Sequence, residues 1–381
     1  MCCVKKMSMT ILVLLVASLA LMCMGIAQAQ LSSPLKLKPE LKIKRKTIDF
    51  SGQTIEWIIP FEAGGGSDEW AKFYLPLLSD ALPGKPSIKI NNMTGGGSTK
   101  GANYFAKHAQ PDGLTILGTS GSTHFPYLFG DSRVEYDYED WHVVLITPTS
   151  GVVSVAPATG VTDAADLKFS KTPLVYGSNG VTSLDLLPLL AFDMLDLDVE
   201  AIFGMRGRSE SRKGLEIGDV TIDYQTTAAY IANVIPLVET QQAIPLMSWG
   251  VVNATGAIVR DPTSPDLPTF PEVYAMVHGE APSGLRWEAW KTLFITGFSS
   301  QKKLFLPKDT PKEIIDAYTQ AMRTIFAQPG FEQTAQQHLG LYQQTIGLEA
   351  KKMLAQSIDV DAQSIEWIKN WVKEKYQLTL K

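Results

Sequence analysis

The chain has 381 residues, of which 45% are apolar and 19% charged, and it carries a net charge of −5 at neutral pH. A mildly acidic globule of this kind has no electrostatic footprint for nucleic acid, and its apolar residues suffice for two ordinary domains held together by burial. Its three cysteines, Cys2, Cys3 and Cys23, all fall within the first 29 residues, so the remainder has no disulfide and no thiol chemistry.

The first 29 residues read as an export leader. Lys5 and Lys6 precede an apolar run from Ile11 to Met24, and Ala27-Gln-Ala29 follows as an A-x-A cleavage site. The run is shorter than the about 20 residues a membrane-spanning helix needs. Met22 before Cys23 does not fit a lipoprotein signal, which needs a small residue there. Loss of the two leader lysines takes the net charge from −5 to −7. The alternative is an uncleaved anchor, which the cations Lys36, Lys38, Lys42, Lys44, Arg45 and Lys46 favour because positive charge resists translocation. Residues 30–46 read as a flexible Pro- and Lys-rich lead.

Beyond it, Thr54-Ile-Glu-Trp-Ile-Ile-Pro60 reads as a buried strand running into the loop Phe61-Glu-Ala-Gly-Gly-Gly-Ser-Asp68. A helix follows from Glu69, with Asp68 as its cap and Trp70, Phe73, Leu77 and Ala81 on one face. Residues 87–91 form a second strand, closed by Thr94-Gly-Gly-Gly-Ser98 and a helix through Ala102 and Phe105. Pro111-Asp-Gly113 turns the chain into a third strand, residues 114–118, and the loop Thr119-Ser-Gly-Ser-Thr-His124. Three strand–loop–helix units predict an α/β domain with a mostly parallel sheet. The pattern recurs with strands at 173–178, 200–203 and 220–224 and a helix over 184–197. Thr310-Pro-Lys-Glu313 predicts a capped helix start, and residues 348–375 predict one long amphipathic helix.

Loops at the carboxyl ends of parallel strands are where open α/β sheets bind ligands. Here those loops are 61–68, 94–98, 119–124, 178–183, 204–210 and 225–227. Their glycines and hydroxyl residues expose backbone N–H groups at helix N-termini, which hold anions without a fixed positive charge. Gly64-Gly-Gly66 has neither the spacing of a dinucleotide fingerprint nor the ending of a phosphate-binding loop. Catalytic signals are poor. Gly118-Thr-Ser-Gly121 misses the nucleophile-elbow pattern, and the five histidines lack metal-ligand spacing, so neither a metal nor a cofactor is expected. Asp68, Ser120 and His124 could be imagined as a triad, but sequence does not place them together.

Five collinear motifs carry a resemblance. They are Ile55-Glu-Trp-Ile-Ile-Pro-Phe-Glu-Ala-Gly-Gly-Gly-Ser-Asp68, Pro111-Asp-Gly-Leu-Thr-Ile-Leu-Gly-Thr-Ser-Gly121, Tyr176-Gly-Ser-Asn-Gly-Val-Thr-Ser183, Pro265-Asp-Leu-Pro-Thr-Phe-Pro-Glu272 and Leu306-Pro-Lys-Asp-Thr-Pro-Lys-Glu313. In order and spacing the chain resembles the Bug-type receptors, the extracytoplasmic substrate-binding proteins of tripartite tricarboxylate transporters. The resemblance implies an α/β two-domain clamshell of type II periplasmic-binding-protein topology with a cleft between the domains. It places domain I at residues 47–148 and 250–381 and domain II at 149–249. It also implies a periplasmic, monomeric, non-enzymatic receptor for a small organic acid, with the transporter's membrane permease subunits as partners. An exported hydrolase or lyase, or a ligand sensor for a signalling partner, are the alternatives.

By the same resemblance the binding residues are Phe61, Glu62, Ala63, Gly64 and Gly65; Thr119, Ser120, Gly121, Ser122 and His124; Ser178, Asn179, Gly180, Thr182 and Ser183; Met205, Arg206, Gly207 and Arg208; and Gln225 and Thr226. Two departures stand out. Glu62-Ala63 replaces prolines common in the family, so Glu62 points to solvent, meets a cationic part of the ligand, or pairs with an arginine. The family's aromatic–Lys–Gly–Gly–Gly loop reads Met205-Arg-Gly-Arg-Ser209, with Arg212 one turn on. Arg206 or Arg208, Arg206 foremost, is therefore expected to reach a ligand carboxylate. Sequencing of the mature N-terminus is expected to start at or near Gln30; an abundant form starting at Met1 would contradict the leader reading.

Overall fold

The computed structural model describes residues 48–380 apart from Ala254. The leader at 1–29 and the lead at 30–46 lie outside the described residues. Among the described residues no helix is long and apolar enough to cross a membrane.

Strand β1 (Thr54–Ile59) leads into helix α1 (Gly66–Ala81), β2 (Ser87–Asn92) into α2 (Thr99–His108), and β3 (Thr115–Thr119) into α3 (Gly121–Leu128). In each unit the strand is followed by a glycine- or serine-bearing turn, and the helix starts within or just after that turn. Strands β4 (His142–Thr147) and β5 (Gly151–Val155) follow. A second set comprises β6 (Leu174–Ser178), α4 (Leu186–Met194), β7 (Val199–Phe203), α5 (Arg208–Ile217) and β8 (Ile222–Thr226). A helical segment containing a π turn at Tyr230–Val234 then leads to β9 (Ile244–Ser248). The rest comprises the hairpin β10 (Val251–Val252) and β11 (Ile258–Val259), α6 (Phe270–His278), α7 (Gly284–Phe294), β12 (Lys302–Leu306), α8 (Lys312–Phe326), α9 (Phe331–Leu339), β13 (Thr345–Ile346), α10 (Gly347–Ile358) and α11 (Ala362–Tyr376).

The strands form two main groups. The first is a six-stranded sheet in the order β13-β4-β12-β3-β1-β2. Strand β1 runs parallel to β2 and β3, whereas β12 is antiparallel to β3 and β4, and β13 is antiparallel to β4. The sheet is therefore parallel on one side only, a correction to the mostly parallel expectation. The second group joins the antiparallel set β8-β5-β9 to the parallel pair β6-β7. Thr221 ties them: its N–H donates to Val175 O (2.9 Å), and its Oγ1 accepts from Val175 N (2.7 Å).

Buried side chains cover the first sheet on both faces, with α1 and α8 on one side and α2 and α10 on the other. A larger buried cluster joins β5, β6, β8 and β9 with α4 and a stack of aromatic rings, Trp290, Phe294 and Phe298. Residues 250–381 divide between these cores. Strand β12 and helices α8 to α10 pack on the first sheet, while α6, α7 and α11 enter the second cluster.

Two helix boundaries differ from expectation for local reasons. Thr310 does not cap α8; its hydroxyl donates to Pro307 O (2.7 Å), and the helix begins beyond Pro311. The long C-terminal helix is two helices, because Asp361 accepts a hydrogen bond from Ser364 N (2.7 Å) and starts a new one. A side-chain acceptor at that position satisfies an N–H of the first turn that would otherwise go unpaired.

Candidate functional site

The carboxyl ends of β1, β3, β6, β7 and β8 face one small cavity. The chain leaves β1 through Pro60, and Gly64 turns it with φ +77°. Asp68 holds that turn: its Oδ2 accepts from Gly64 N (2.8 Å) and its Oδ1 from Asn92 Nδ2 (3.0 Å). Asp68 is thus inside the first turn of α1 and not its cap, a position that belongs to Gly65. At the start of α3, Ser120 Oγ accepts from Ser122 N (3.1 Å). Gly66 brings α1 so close to β8 that a Cβ there would stand 2.0 Å from Thr226 Oγ1.

The cavity measures about 30 Å³ and is lined by Phe61, Glu62, Gly65, Gly66, Ser67, Ser120, Ser122, Asn179, Leu184, Gly207, Arg208, Tyr224, Thr226, Gln301 and Lys302. The N-terminal turns of α1, α3 and α5 supply several of these residues. Their unpaired N–H groups and helix dipoles favour negative charge there.

Nine of the residues expected from sequence line this space: Phe61, Glu62, Gly65, Ser120, Ser122, Asn179, Gly207, Arg208 and Thr226. The others take supporting positions. Ala63 and Gly64 form the turn before α1, Thr119 ends β3, and Gly121 packs where a Cβ would meet Leu184 and the Gly297 carbonyl. Gly180 O accepts from Ser183 Oγ (2.7 Å), and Thr182 Oγ1 accepts from Arg133 (3.0 Å). Ser178 Oγ donates to Asp185 (3.0 Å), Met205 N donates to Ser178 O (3.0 Å), and Gln225 Nε2 donates to Arg208 O (2.7 Å). His124 is fully buried beside Tyr138 with Nδ1 3.5 Å from Lys303 Nζ, away from the cavity. Burial, and then the charge of Lys303, hold its pKa well below the usual histidine value.

The two arginines separate. Arg206 is 67% exposed and pairs with Glu62 (3.0 Å) and Glu210 (3.4 Å), so the expectation that it reaches inward is corrected: it lies on the rim. Glu62 Oε2 also accepts from Ser209 Oγ (3.1 Å). Arg208 lines the cavity but is already neutralised. Its guanidinium pairs with Asp223 and Asp185, donates to Gly177 O (2.6 Å), and lies between the rings of Tyr176 (5.0 Å) and Tyr224 (4.6 Å). Burial disfavours its charge, but the two carboxylates outweigh that and hold its pKa above the usual arginine value.

Sequence reasoning missed Gly66, Ser67, Leu184, Tyr224, Gln301 and Lys302. Gly66 and Ser67 lie within the expected loop 61–68, and Leu184 and Tyr224 adjoin the loops 178–183 and 225–227. Lys302 arrives on β12, with Gln301 just before it, and this strand is inserted between β3 and β4 from far along the chain. The signal was the pair of lysines opening the run Lys302-Lys-Leu-Phe-Leu306, every residue of which is buried. Lys302 Nζ donates to Ser67 Oγ (2.9 Å), and burial, then Lys303, pull its pKa down to about 7.

Several bonds cross the cavity. Arg212 Nη1 donates to Gly64 O (3.1 Å) and Leu184 N to Ser122 Oγ (3.1 Å), in addition to the Glu62 pairs. Loops of the first sheet are thereby tied to loops of the second group.

The fold is shared with solved periplasmic binding proteins. No family model matches the chain. It is 25% identical over 289 residues to the UPF0065 protein in the tcbD-tcbE intergenic region of Pseudomonas sp. strain P51, covering 74% of this chain and 76% of that one. The periplasmic binding protein BugD matches with a TM-score of 0.63 at 17% identity, over 85% of this chain and 98% of BugD. MatC from Rhodopseudomonas palustris, solved with bound malate, matches with a TM-score of 0.61 at 21% identity, over 85% of this chain and all (100%) of that one. The resemblance to the Bug-type receptors read from the five motifs is borne out by these likenesses.

The contrast between the arginines is testable by urea unfolding. Arg208→Met strands Asp185 and Asp223 in the interior and is expected to cost about 3–5 kcal/mol, whereas Arg206→Ala is expected to leave the unfolding midpoint in place. Equal effects would contradict this assignment.

Proposed function

We propose that the protein is a periplasmic receptor that captures a small organic acid between two lobes and delivers it to the permease subunits of a tripartite tricarboxylate-type transporter. The observation that carries this reading is the cavity where three helix N-termini and a buried lysine converge, a setting that favours an anion. The shared fold with BugD and with malate-bound MatC supports it. In this reading one lobe is built on the six-stranded sheet, and the other spans residues 149–249 with α6, α7 and α11 packed against it. Export by cleavage near Ala29 would place the receptor where such a permease could meet it.

The cavity of about 30 Å³ has room for little more than a water molecule or two. A small acid would enter only as the lobes part, and hinge closure around a ligand is the motion this architecture supports. Parting would break the bonds of Glu62, Gly64 and Ser122 across the cavity, and the closed state around a ligand would hold the lobes wider apart than they stand here.

One observation favours a second, enzymatic reading. Ser67 Oγ lies 2.9 Å from Lys302 Nζ, and a lysine with its pKa near 7 could serve as base to a serine nucleophile. A single experiment separates the two. Mono-, di- and tricarboxylates are screened by thermal melting, and p-nitrophenyl esters are followed for a burst of product. Binding of about 1 μM corresponds to about 8 kcal/mol, and ligand at about 100 times Kd adds roughly 2.7 kcal/mol of stability. The receptor reading expects a clear upward shift with at least one acid and no burst; a burst without any shift would replace it with the enzymatic one.

A further inference from the structure

We propose that Lys302 is the residue that pairs with the carboxylate of the captured acid. The proposal deepens the receptor reading and rests on it.

The argument is a balance of charge around one cavity. Two cations line it, Arg208 and Lys302. Arg208 spends its charge on Asp185 and Asp223. Glu62 is the one carboxylate among the described lining residues, and both its oxygens are turned away, to Arg206 and Ser209. Among the described residues Lys302 makes no ion pair, and its Nζ is held by the neutral Ser67 hydroxyl. A buried ammonium without a counter-charge is costly, and an anion in the cavity is the group that would relieve it.

The geometry aims the ammonium at a place fit for a carboxylate. Lys302 Nζ comes within 3.5 Å of where a Cβ on Gly66 would stand, beside the first turn of α1. The Thr226 hydroxyl already fills that point, its Oγ1 2.0 Å away, so a bound oxygen would meet Nζ from the cavity side, beside Thr226 and Gln301. Gln301, 1% exposed, lines the same cavity, and its Oε1 has no hydrogen-bond partner among the described residues. An amide at that place can donate from its other atom to a bound oxygen once its rotation is chosen by the ligand.

The protonation state follows from the surroundings. The titratable groups around the cavity are Glu62, Arg208 and Tyr224; Asp68, next to Ser67, is occupied by Gly64 N, Asn92 and Lys72. On the same strand Lys303 sits beside His124 and over Tyr138. Desolvation, then Lys303, lowers the pKa of Lys302 to about 7. A carboxylate on Nζ raises it again. At pH 6 the empty site is already charged and binds without proton uptake. At pH 8 the amine is mostly neutral, so binding must draw a proton from solvent, and affinity falls by roughly tenfold between these pH values.

The test is isothermal titration of the purified protein with acetate, lactate, malate, succinate, citrate and adipate. Titrations at pH 6 in MES and in bis-Tris, and at pH 8 in HEPES and in Tris, pairs of buffers of different ionisation enthalpy, give the protons taken up per acid bound. The expected result is close to one proton at pH 8, none at pH 6, and affinity falling with pH. Lys302→Met is expected to abolish the uptake and the pH dependence and to weaken binding at pH 6 by roughly tenfold or more. It should also melt no lower than the parent without ligand, because it removes an unpaired buried charge. Binding by the parent with no proton uptake, or equal binding by Lys302→Met, overturns this inference and leaves the receptor reading standing. Failure of every acid to bind the parent overturns both. If Lys302→Met does not fold, the proton count of the parent decides alone.

Discussion

Burying a charged group is among the largest costs a fold can carry, and two cations are buried here on facing walls of one cavity. The guanidinium of Arg208 is reconciled with the interior by Asp185, Asp223 and two tyrosine rings. Those partners come from β6, β8 and the residues just before α4, so the same cluster sets how the elements of the second group meet. The ammonium of Lys302 belongs to the other sheet and has only a serine hydroxyl. The site follows from that difference: one wall is electrically complete, and the other is not.

The close approach of the walls depends on small residues. Gly66 lets the first turn of α1 lie against Thr226, and Gly121 lets α3 lie against Leu184 and the Gly297 backbone. Any larger residue at either place would hold the loops apart. Around the rim, Glu62 and Arg206 meet across the gap, where solvent weakens an ion pair and its loss is tolerable. Strong, buried charge pairs fix the Arg208 wall internally, and a weaker, exposed pair joins wall to wall. That distribution suits the opening and closing proposed for the two lobes.

The fold was legible wherever local chemistry decides it. Strands β1, β3, β6 and β7 are apolar-rich runs followed within a few residues by glycine- or serine-bearing turns, and a helix starts beyond each. The binding loops were legible for the same reason, and nine of their residues line the cavity. What sequence did not disclose depends on partners remote in the chain. Thr310 looked like a cap, but the Pro307 carbonyl claims its hydroxyl. Arg206 looked inward by loop position, but Glu62 and Glu210 hold it at the surface. Lys302 was invisible as a site residue because only the insertion of β12 between β3 and β4 brings it to Ser67. Two lysines in a short apolar strand, on a sheet covered on both faces, were nonetheless an anomaly that charge burial could have flagged.

The measurement closest to the central claim is a crystal structure of the protein saturated with an acid that it binds. The account predicts a carboxylate in the cavity between the N-termini of α1 and α3, with one oxygen about 3 Å from Lys302 Nζ. Arg208 should still be paired with Asp185 and Asp223. An acid bound outside this cavity, or one held by Arg206 or Arg208 with Lys302 out of reach, would contradict it.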